Sequence, residues 1–280
     1  MDRLFGPSAR LLLLGLGLSL FAATAQAQDL DAIKRRGIVN VGTQADYPPF
    51  EFIQDGKIVG YDEDLLNLVV SSWGVKLNQF DLPFAGLLTG LSQNKYDLIC
   101  TALLILPGRG DVVSMTLPVA VARVGFYKRK GDTNVKSIDD LTGVTIGAVV
   151  PPSGPTAMMR AWNDNLKKNG KGAADIKYFQ GSTDLALALL NGQVDVWGTT
   201  NLTMLAQMKK YPDKFELVEN FGDPYYYAWA ARAQNTSLRD SINVELRKIR
   251  DGGKMRELQQ KWFGLTMDLP DSGYLPPDGK

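Results

Sequence analysis

Hydrophobic positions follow two alternating patterns along the chain: short apolar runs, and longer segments with helical spacing. The first apolar run, residues 38–42, is typical of a buried strand. A predicted helix with an apolar face follows, capped by Asp62 or a neighbour and stopped by Gly74. The alternation continues with a strand at 75–80, a helix at 84–93 and a strand at 96–102. Strands that alternate with helices of this length predict a mainly parallel sheet.

The second half of the chain repeats this order of elements. Its predicted elements are a strand at 144–150, a helix at 154–168, a strand at 175–179, a helix at 182–190 and a strand at 194–198. The segments 91–98 and 189–196 also resemble each other, because each combines a helix end, a polar turn and a buried strand that opens with an apolar residue and Asp. The sequence therefore predicts two α/β lobes of similar plan, each built on a mainly parallel sheet.

Two extended segments predict how the lobes are connected. Residues 120–127 leave the first series of elements and residues 225–230 return after the second, so they form a two-strand hinge that permits closure around a ligand. The predicted boundaries are a leader at 1–27, lobe 1 at 28–122 and 228–280, and lobe 2 at 123–227. Ligands in open α/β sheets lie beyond the carboxyl ends of strands. The loops expected to form the site therefore follow Val41, Ala102, Val150 and Gly198.

The first 27 residues are typical of a secretory signal. Arg3 and Arg10 precede an apolar run at 11–23, and small residues follow, with Ala25 and Ala27 at the positions that a signal peptidase reads. A membrane anchor is the alternative, but the run is shorter than the roughly 20 apolar residues of a spanning helix. We expect cleavage after Ala27 and export of a soluble mature chain.

Composition excludes several classes of function. The chain has 280 residues, with 31 Lys and Arg against 30 Asp and Glu, and a net charge of +1 provides no basic field for nucleic acid. It contains no histidine, which excludes Ser-His-Asp and Cys-His nucleophiles and imidazole proton shuttles. The single cysteine, Cys100, excludes disulfide frameworks and cysteine-zinc clusters, and we expect it to be buried. No cofactor and no metal is predicted.

Motifs spread along the chain resemble one family in order and register. They are Gly42-Thr43, Tyr47-Pro48-Pro49-Phe50-Glu51-Phe52, Gly60-Tyr61-Asp62-Glu63-Asp64-Leu65, Phe84-Ala85-Gly86-Leu87, Tyr96-Asp97-Leu98-Ile99, Leu141-Thr142-Gly143, Asn191-Gly192-Gln193-Val194-Asp195 and Lys261-Trp262-Phe263-Gly264. Together they resemble the periplasmic solute-binding proteins of polar amino-acid ABC importers, the bacterial family-3 extracellular solute-binding proteins. The resemblance implies a type II two-lobed fold that closes on an amino acid or related small carboxylate. It also implies delivery of this ligand from the periplasm to an inner-membrane ABC permease, and we expect a monomer.

The resemblance also suggests which residues contact the ligand. Arg109 matches an arginine that clamps the ligand carboxylate with its forked guanidinium, and a solvated charge in a Pro-Gly turn is the alternative. Thr156 matches a threonine whose amide contacts the same carboxylate from a helix N-terminus, and an ordinary N-cap is the alternative. Tyr47 and Phe84 match aromatic positions that cover the ligand, with core packing as the alternative. Phe50 belongs to the family's first ligand loop.

Several positions depart from the family pattern. Leu104 stands where relatives usually carry Ser or Thr, and so does Leu106. Thr200 stands where relatives carry the acid that holds the ligand ammonium, and Trp197 adds an aromatic group nearby. The carboxylate side of the site is thus retained while the ammonium side is lost. These departures lead to the hypothesis of a small carboxylate ligand without a charged α-amino group.

Four other acidic residues bear on this hypothesis. Asp62 and Asp64 lie at a helix start, where acids usually cap the helix and complement its dipole, so no chemistry is assigned to them. Asp46 and Glu51 lie in or next to the first ligand loop, and either one could replace the missing acid. In that case the ligand is an ordinary amino acid.

Two other functions are compatible with this fold. Cyclohexadienyl dehydratases resemble the family and use a glutamate as general acid about three residues beyond the missing acid position, which is Thr203 in this chain. The sequence has no carboxylate between Asp195 and Asp213, so we predict a binding protein and not an enzyme. A receptor-coupled sensor, which binds a ligand without feeding a transporter, is a further alternative that the sequence does not distinguish from an importer component.

Overall fold

A computed structural model describes residues 28–151 and 153–275 of the chain. Its helices are α1 (Gln28–Arg36), α2 (Tyr61–Trp73), α3 (Phe84–Ser92), α4 (Gly154–Lys168), α5 (Ser182–Leu190), α6 (Asn201–Lys210), α7 (Thr236–Asp251) and α8 (Lys254–Phe263). Its strands are β1 (Ile38–Thr43), β2 (Asp46–Tyr47), β3 (Glu51–Gln54), β4 (Lys57–Val59), β5 (Lys76–Asp81), β6 (Leu98–Leu104), β7 (Val113–Met115), β8 (Ala120–Arg129), β9 (Thr145–Val149), β10 (Asp175–Phe179), β11 (Val196–Thr200) and β12 (Phe215–Arg232). The signal predicted at 1–27 lies outside the described residues.

A nine-stranded sheet runs through the molecule in the order β10-β9-β11-β8-β12-β6-β1-β5, with β7 paired to β12. At one end β1 pairs in parallel with β5 and β6, and at the other end β9 pairs in parallel with β10 and β11. We use lobe 1 for the part built on β5-β1-β6 and lobe 2 for the part built on β10-β9-β11. The long strands β8 and β12 pair antiparallel between the lobes and contain the two predicted crossing segments, although β12 begins ten residues earlier than predicted. The α/β two-lobed fold is confirmed, and hydrogen bonds join its two parallel groups into one sheet.

Helices cover both faces of each parallel group, which explains why the central strands are apolar along their length. In lobe 1 every residue of β6 is buried. Cys100 belongs to the core under α2, as expected for a buried thiol, and its neighbour Ile99 belongs to the core under α3. In lobe 2 the alternation is the same, with Trp197 under α5 and Val196 under α4.

The start of α2 differs from the prediction. Gly60 precedes the first turn with a φ of 140°, and a Cβ at this position would overlap the Phe50 carbonyl oxygen, so only glycine fits. Asp62 is the second residue of the helix, its side chain is fully buried, and it does not cap the helix. The expectation of a cap at Asp62 is therefore wrong, because tertiary packing turns this side of the first turn inward. Asp64 bonds to Lys261 of α8 at 2.7 Å.

The helix α6 was not predicted, and it follows β11 directly. Thr200 is its N-cap, and the Thr200 hydroxyl accepts a hydrogen bond from the Thr203 amide at 3.3 Å. By contrast, β10 and α5 have the predicted bounds. Within the part of the chain that the structure describes, no helix is long and apolar enough to cross a membrane.

Candidate functional site

A cleft with a volume of about 50 Å³ lies between the two lobes. Lobe 1 lines it with Gln44, Asp46, Tyr47, Phe84, Thr101, Ala102 and Leu104. Lobe 2 lines it with Val149, residues 153–156, Gly181, Ser182, Gly198 and Thr199, and β12 contributes Tyr227. The ends of β1, β6, β9 and β11, or the residues that follow them, all take part. The cleft thus lies where the topology predicts a ligand site.

The two lobes contact each other across this cleft. Leu104 packs on Gly154, where a Cβ would lie 2.6 Å from the Leu104 Cδ1. The Asp46 carboxylate packs on Gly181, where a Cβ would overlap it. The contact at Gly154 depends on the missing Cβ, because the Leu104 side chain that would have to shift is buried, whereas the exposed Asp46 carboxylate could turn away from a Cβ at position 181. Because a cavity of about 50 Å³ holds only a few water molecules, a ligand of amino-acid size requires the lobes to part.

Two helix N-termini lie in the cleft. The helix α4 begins at Gly154 after its N-cap Ser153, with Thr156 in the first turn, and α5 begins at Ser182. Amides of a first turn lack partners inside their helix, and the helix dipole adds positive potential, so such ends favour anions. The Thr156 hydroxyl donates to the Val149 carbonyl at 2.6 Å, so the Thr156 amide is the group of this residue that can meet a ligand.

Arg109 lies beside the cleft without being one of its lining residues. It begins a short 3-10 helix, Arg109–Asp111, and its Nη1 donates to the carbonyl of the lining residue Leu104 at 2.7 Å. Burial lowers the pKa of this guanidinium, so an anion placed near it would stabilise its charged form. Direct contact between Arg109 and a ligand stays a prediction.

Four hydroxyl groups form a closed ring at the side of the cleft. The hydroxyl oxygens of Tyr47 and Tyr227 are 2.7 Å apart, and Tyr227 donates to Thr200 at 3.2 Å. The hydroxyl oxygens of Thr200 and Thr203 are 3.0 Å apart, and Thr203 donates to Tyr47 at 3.1 Å. Burial raises the pKa of both tyrosines, so they stay protonated at neutral pH. We call this group the hydroxyl ring, and it places Thr200 in a neutral network.

The predicted ligand residues differ in where they lie relative to the cleft. Phe50 and Trp197 are fully buried in the cores of lobes 1 and 2, and they do not line the cleft. Phe50 stacks on Tyr47 with ring centroids 5.5 Å apart, so it supports a cleft residue from within the core. Ligand contact at Phe50, Trp197 or Thr200 stays a prediction. The predicted residues that line the cleft are Tyr47, Phe84, Leu104 and Thr156.

The two acids considered as replacements for the missing one lie in different places. Asp46 lines the cleft and is the only Asp, Glu, Lys or Arg among the described residues that do so. Partial burial raises its pKa, and the nearby Asp184 adds to this effect. Glu51 does not line the cleft, since it is buried in lobe 1 and accepts a hydrogen bond from the Thr101 hydroxyl. Asp46 is therefore the acid in position to meet a ligand ammonium.

Glu51 shares its buried site with Asp62, and we call these two residues the acid pair. Burial and the charge of Asp62 raise the pKa of Glu51, and burial raises the pKa of Asp62. The nearby Trp229 indole acts in the opposite direction and lowers the pKa of Asp62, but no well-formed hydrogen bond joins Trp229 to Asp62. Both shifts favour the protonated form, so the pair holds a proton to higher pH than two solvated carboxyls do. Thr101 connects it to the cleft, because Thr101 is also a lining residue.

Comparison with known proteins identifies the family. The sequence model of the bacterial extracellular solute-binding proteins, family 3, matches residues 39–265. This chain belongs to that family. Its similarity to the "Probable amino-acid-binding protein YxeM" of Bacillus subtilis amounts to 27% identity, over 81% of this chain and 84% of the relative. A solved structure of an ancestral arginine-binding protein bound to arginine has 29% identity and a TM-score of 0.74, over 82% of this chain and 99% of that chain.

A second solved structure bears on the enzyme alternative. It is the ancestral amino acid-binding protein AncCDT-1, a precursor of cyclohexadienyl dehydratase, with 25% identity and a TM-score of 0.75 over 84% of this chain and 99% of that chain. The family-3 fold of this protein is thus shared with binding proteins and with the precursor of an enzyme. The named relatives themselves are amino-acid-binding proteins.

Some residues that line the cleft of this family-3 protein were not found from the sequence. Ser182 begins α5 directly after the turn that follows β10, so the rule for carboxyl ends of strands could have included it. Tyr227 lies in a run of three tyrosines on a crossing segment, which was noted without being assigned to the site. Gln44 and Thr101 carry no signal of their own, because single polar residues at strand ends are common.

Proposed function

We propose that this protein captures an amino acid or a related small carboxylate in the periplasm and delivers it to an inner-membrane ABC permease. The observation that carries the proposal is the cleft between two contacting lobes, in which α4 and α5 both have their N-termini. Two helix ends that favour anions, together with the aromatic side chains of Tyr47 and Phe84, suit a small carboxylate better than a sugar or a metal ion. The names of the relatives support the same class of ligand.

The ligand carboxylate belongs at the N-terminus of α4. The Thr156 amide is available there, and the Leu104 side chain now packs against Gly154 at this position. When the lobes part, Leu104 moves away from Gly154 with lobe 1 and the first turn becomes accessible. Arg109 supplies a second contact, because its guanidinium is anchored on the Leu104 carbonyl and its charge is partly desolvated.

The residues that would face the other end of the ligand bear on whether this end carries an ammonium group. Asp46 favours amino acids, because its carboxylate lines the cleft and would pair with an ammonium group. The hydroxyl ring favours 2-oxo or 2-hydroxy acids, because it offers no negative charge to compensate an ammonium group. Calorimetric titration with phenylalanine and phenylpyruvate decides between these classes. Tighter binding of phenylalanine supports the role of Asp46, and tighter binding of phenylpyruvate supports a lost ammonium site.

A thermal-shift screen tests the proposal as a whole. The screen contains amino acids, 2-oxo acids, 2-hydroxy acids and aromatic acids, with sugars and cations as controls. A ligand at about 100 times its Kd adds about 2.7 kcal/mol to the free energy of unfolding. For a protein of this size that raises Tm by roughly 5–10 °C. If a sugar or a cation raises Tm while no small carboxylate does so, the proposed ligand class is wrong.

Two further experiments separate the alternatives. Co-purification with a membrane permease supports an importer component, whereas co-purification with a membrane receptor supports a sensor. Incubation with prephenate or arogenate tests for dehydratase activity by the appearance of an aromatic product. We expect no product, because the position expected to carry the general acid is Thr203 and its hydroxyl belongs to the neutral hydroxyl ring.

A further inference from the structure

The hydroxyl ring joins three parts of the fold. Tyr47 lies on β2 in lobe 1, Tyr227 lies on β12, and the two threonines lie at the start of α6 in lobe 2. The hydrogen bond of 3.1 Å from Thr203 to Tyr47 runs directly from lobe 2 to lobe 1. Any opening of the cleft that separates the start of α6 from the first ligand loop has to break this bond.

One arrangement of protons is compatible with all four hydrogen bonds of the ring. Tyr227 donates to Thr200, and Thr203 donates to Tyr47. Because a hydroxyl carries one proton, the Tyr47 proton goes to Tyr227 and the Thr200 proton goes to Thr203. The oxygen separations of 2.7 and 3.0 Å fit these two bonds. Every hydroxyl therefore donates once within the ring, and neighbouring bonds polarise one another.

Thr203 takes part in the ring without facing the cleft. Its side chain is fully buried, and it is not one of the lining residues. Its hydrogen-bond partner Tyr47 does line the cleft, and the aromatic ring of Tyr47 stacks on that of Phe50. Thr203 and Phe50 thus fix the hydroxyl and the ring of Tyr47, so the shape of the cleft wall depends on two residues that do not line the cleft.

We propose that the hydroxyl ring is a lock between the lobes, and that Thr203 is a positioning residue that stabilises the closed cleft and holds Tyr47 in its wall. The effect on ligand affinity rests on the proposed function, whereas the effect on lobe closure does not. Because the ring is neutral, its strength does not depend on salt concentration. Water replaces its bonds when the lobes open, so the net cost of opening is modest and the lock is reversible.

Small-angle X-ray scattering of the protein without ligand tests the lock directly. Thr203→Val keeps the side-chain shape and removes the hydroxyl, so we expect more open molecules and a larger radius of gyration than in the wild type. Thr203→Ser keeps a hydroxyl and should return the wild-type value. Thr142→Val, the same change at an exposed position of lobe 2, should have no effect. If Thr203→Val does not fold, Tyr47→Phe removes the same bond and should give the same increase.

Equal radii of gyration in the wild type, Thr203→Val and Tyr47→Phe would overturn the lock. The positioning role is tested by titration with arginine, phenylalanine and phenylpyruvate. For each probe that binds the wild type, Thr203→Val should raise Kd about 2- to 10-fold, the range for one neutral hydrogen bond, mostly through faster dissociation. An unchanged Kd would overturn the positioning role. If no small carboxylate binds the wild type, the proposed function fails, and the scattering data still decide on the lock.

Discussion

The hydroxyl ring and the acid pair are both buried, but they satisfy their polar atoms in different ways. In the ring each hydroxyl donates one proton to its neighbour, so all four groups are paired without any charge. The acid pair brings Glu51 and Asp62 together, and burial raises the pKa of both carboxyls. Neutral hydroxyls can therefore complete a buried network by themselves. Two buried acids instead hold a proton at pH values at which the same acids in the unfolded chain, with a pKa of about 4, have released it.

Because of this difference, the two clusters affect different properties of the protein. The hydroxyl ring crosses between the lobes, so its hydrogen bonds contribute to closure. The acid pair lies within lobe 1, where it contributes to the stability of one folded unit and makes that stability depend on pH. Arg109 is a third case, because it is a partly buried charge that the proposed function pairs with an anion from outside the protein.

The largest effect is expected from Arg109→Ala, which removes the guanidinium that the proposed function pairs with the ligand carboxylate. Loss of one partner of a desolvated charge pair costs about 2–5 kcal/mol, so affinity should fall roughly 30-fold to several-thousand-fold. Calorimetry with the best carboxylate from the thermal screen measures this change. Arg160→Ala, at an exposed position of α4, is the matched control and should bind normally. Unchanged affinity in Arg109→Ala would show that Arg109 is a solvated charge in a turn and does not bind the ligand.

The next effect concerns the acid pair and the pH dependence of stability. Burial raises the folded-state pKa of both acids above the value of about 4 in the unfolded chain. The folded protein then binds more protons than the unfolded chain, so the free energy of unfolding falls as pH rises above about 4. The expected slope is up to about 1.4 kcal/mol per pH unit for each extra proton. Urea denaturation between pH 5 and pH 7 measures it.

Glu51→Gln sharpens this test, because it removes one acid and keeps the shape of the side chain. We expect a flatter dependence of stability on pH, with greater stability than the wild type at the alkaline end. Glu257→Gln is the matched control, since Glu257 is exposed and pairs with Lys254 on the surface. An equal slope in the wild type and in Glu51→Gln would show that the acid pair does not govern the pH dependence.

A smaller effect is expected when a charge is placed in the hydroxyl ring. Thr200→Asp keeps an N-cap for α6 and adds a carboxylate to the network. Hydrogen bonds to charged groups contribute about 1.5–3 kcal/mol, so the preference for phenylalanine over phenylpyruvate should rise about tenfold or more. Thr200→Asn keeps the shape without the charge and should leave the preference unchanged. A fall in the preference for phenylalanine would contradict the ammonium site at this position.

The smallest effect is expected from Asp46→Asn. Asp46 is exposed to solvent, so its attraction for a ligand ammonium is screened, and affinity for phenylalanine should fall only about 2- to 5-fold. Affinity for phenylpyruvate should stay constant or rise slightly, since a like charge is removed. The same titrations at low and high salt check the electrostatic origin of the change. Equal losses for both probes would mean that Asp46 acts by packing on Gly181.

Sequence patterns were sufficient for elements whose signals are local. The helix α5 has its predicted bounds because a polar turn and helical spacing mark both ends. The helix α6 was missed because it follows β11 directly, without a turn that marks its start, and its N-cap Thr200 was interpreted as a ligand position. The two long crossing strands were recognised because extended apolar segments interrupted the alternation of strands and helices.

The site was less predictable, because its geometry depends on contacts between distant parts of the chain. Trp197 was expected near the ligand, but every residue of β11 is buried, so no polar alternation indicates which side faces the cleft. Asp62 was expected at a helix cap, and only the packing of α2 on β6 reveals its burial. The hydroxyl ring joins residues up to 180 positions apart, a proximity that no local motif encodes.

The buried thiol of Cys100 makes this protein a convenient starting point for a fluorescent biosensor. Cys100 is 2% exposed, and burial raises the pKa of its thiol well above the ordinary value, so it reacts slowly with maleimides and other labelling reagents. A second cysteine introduced at the exposed rim of the cleft would then be the preferred site of attachment for an environment-sensitive dye. Because the lobes meet at this rim, the brightness of such a dye would report the concentration of the ligand in solution.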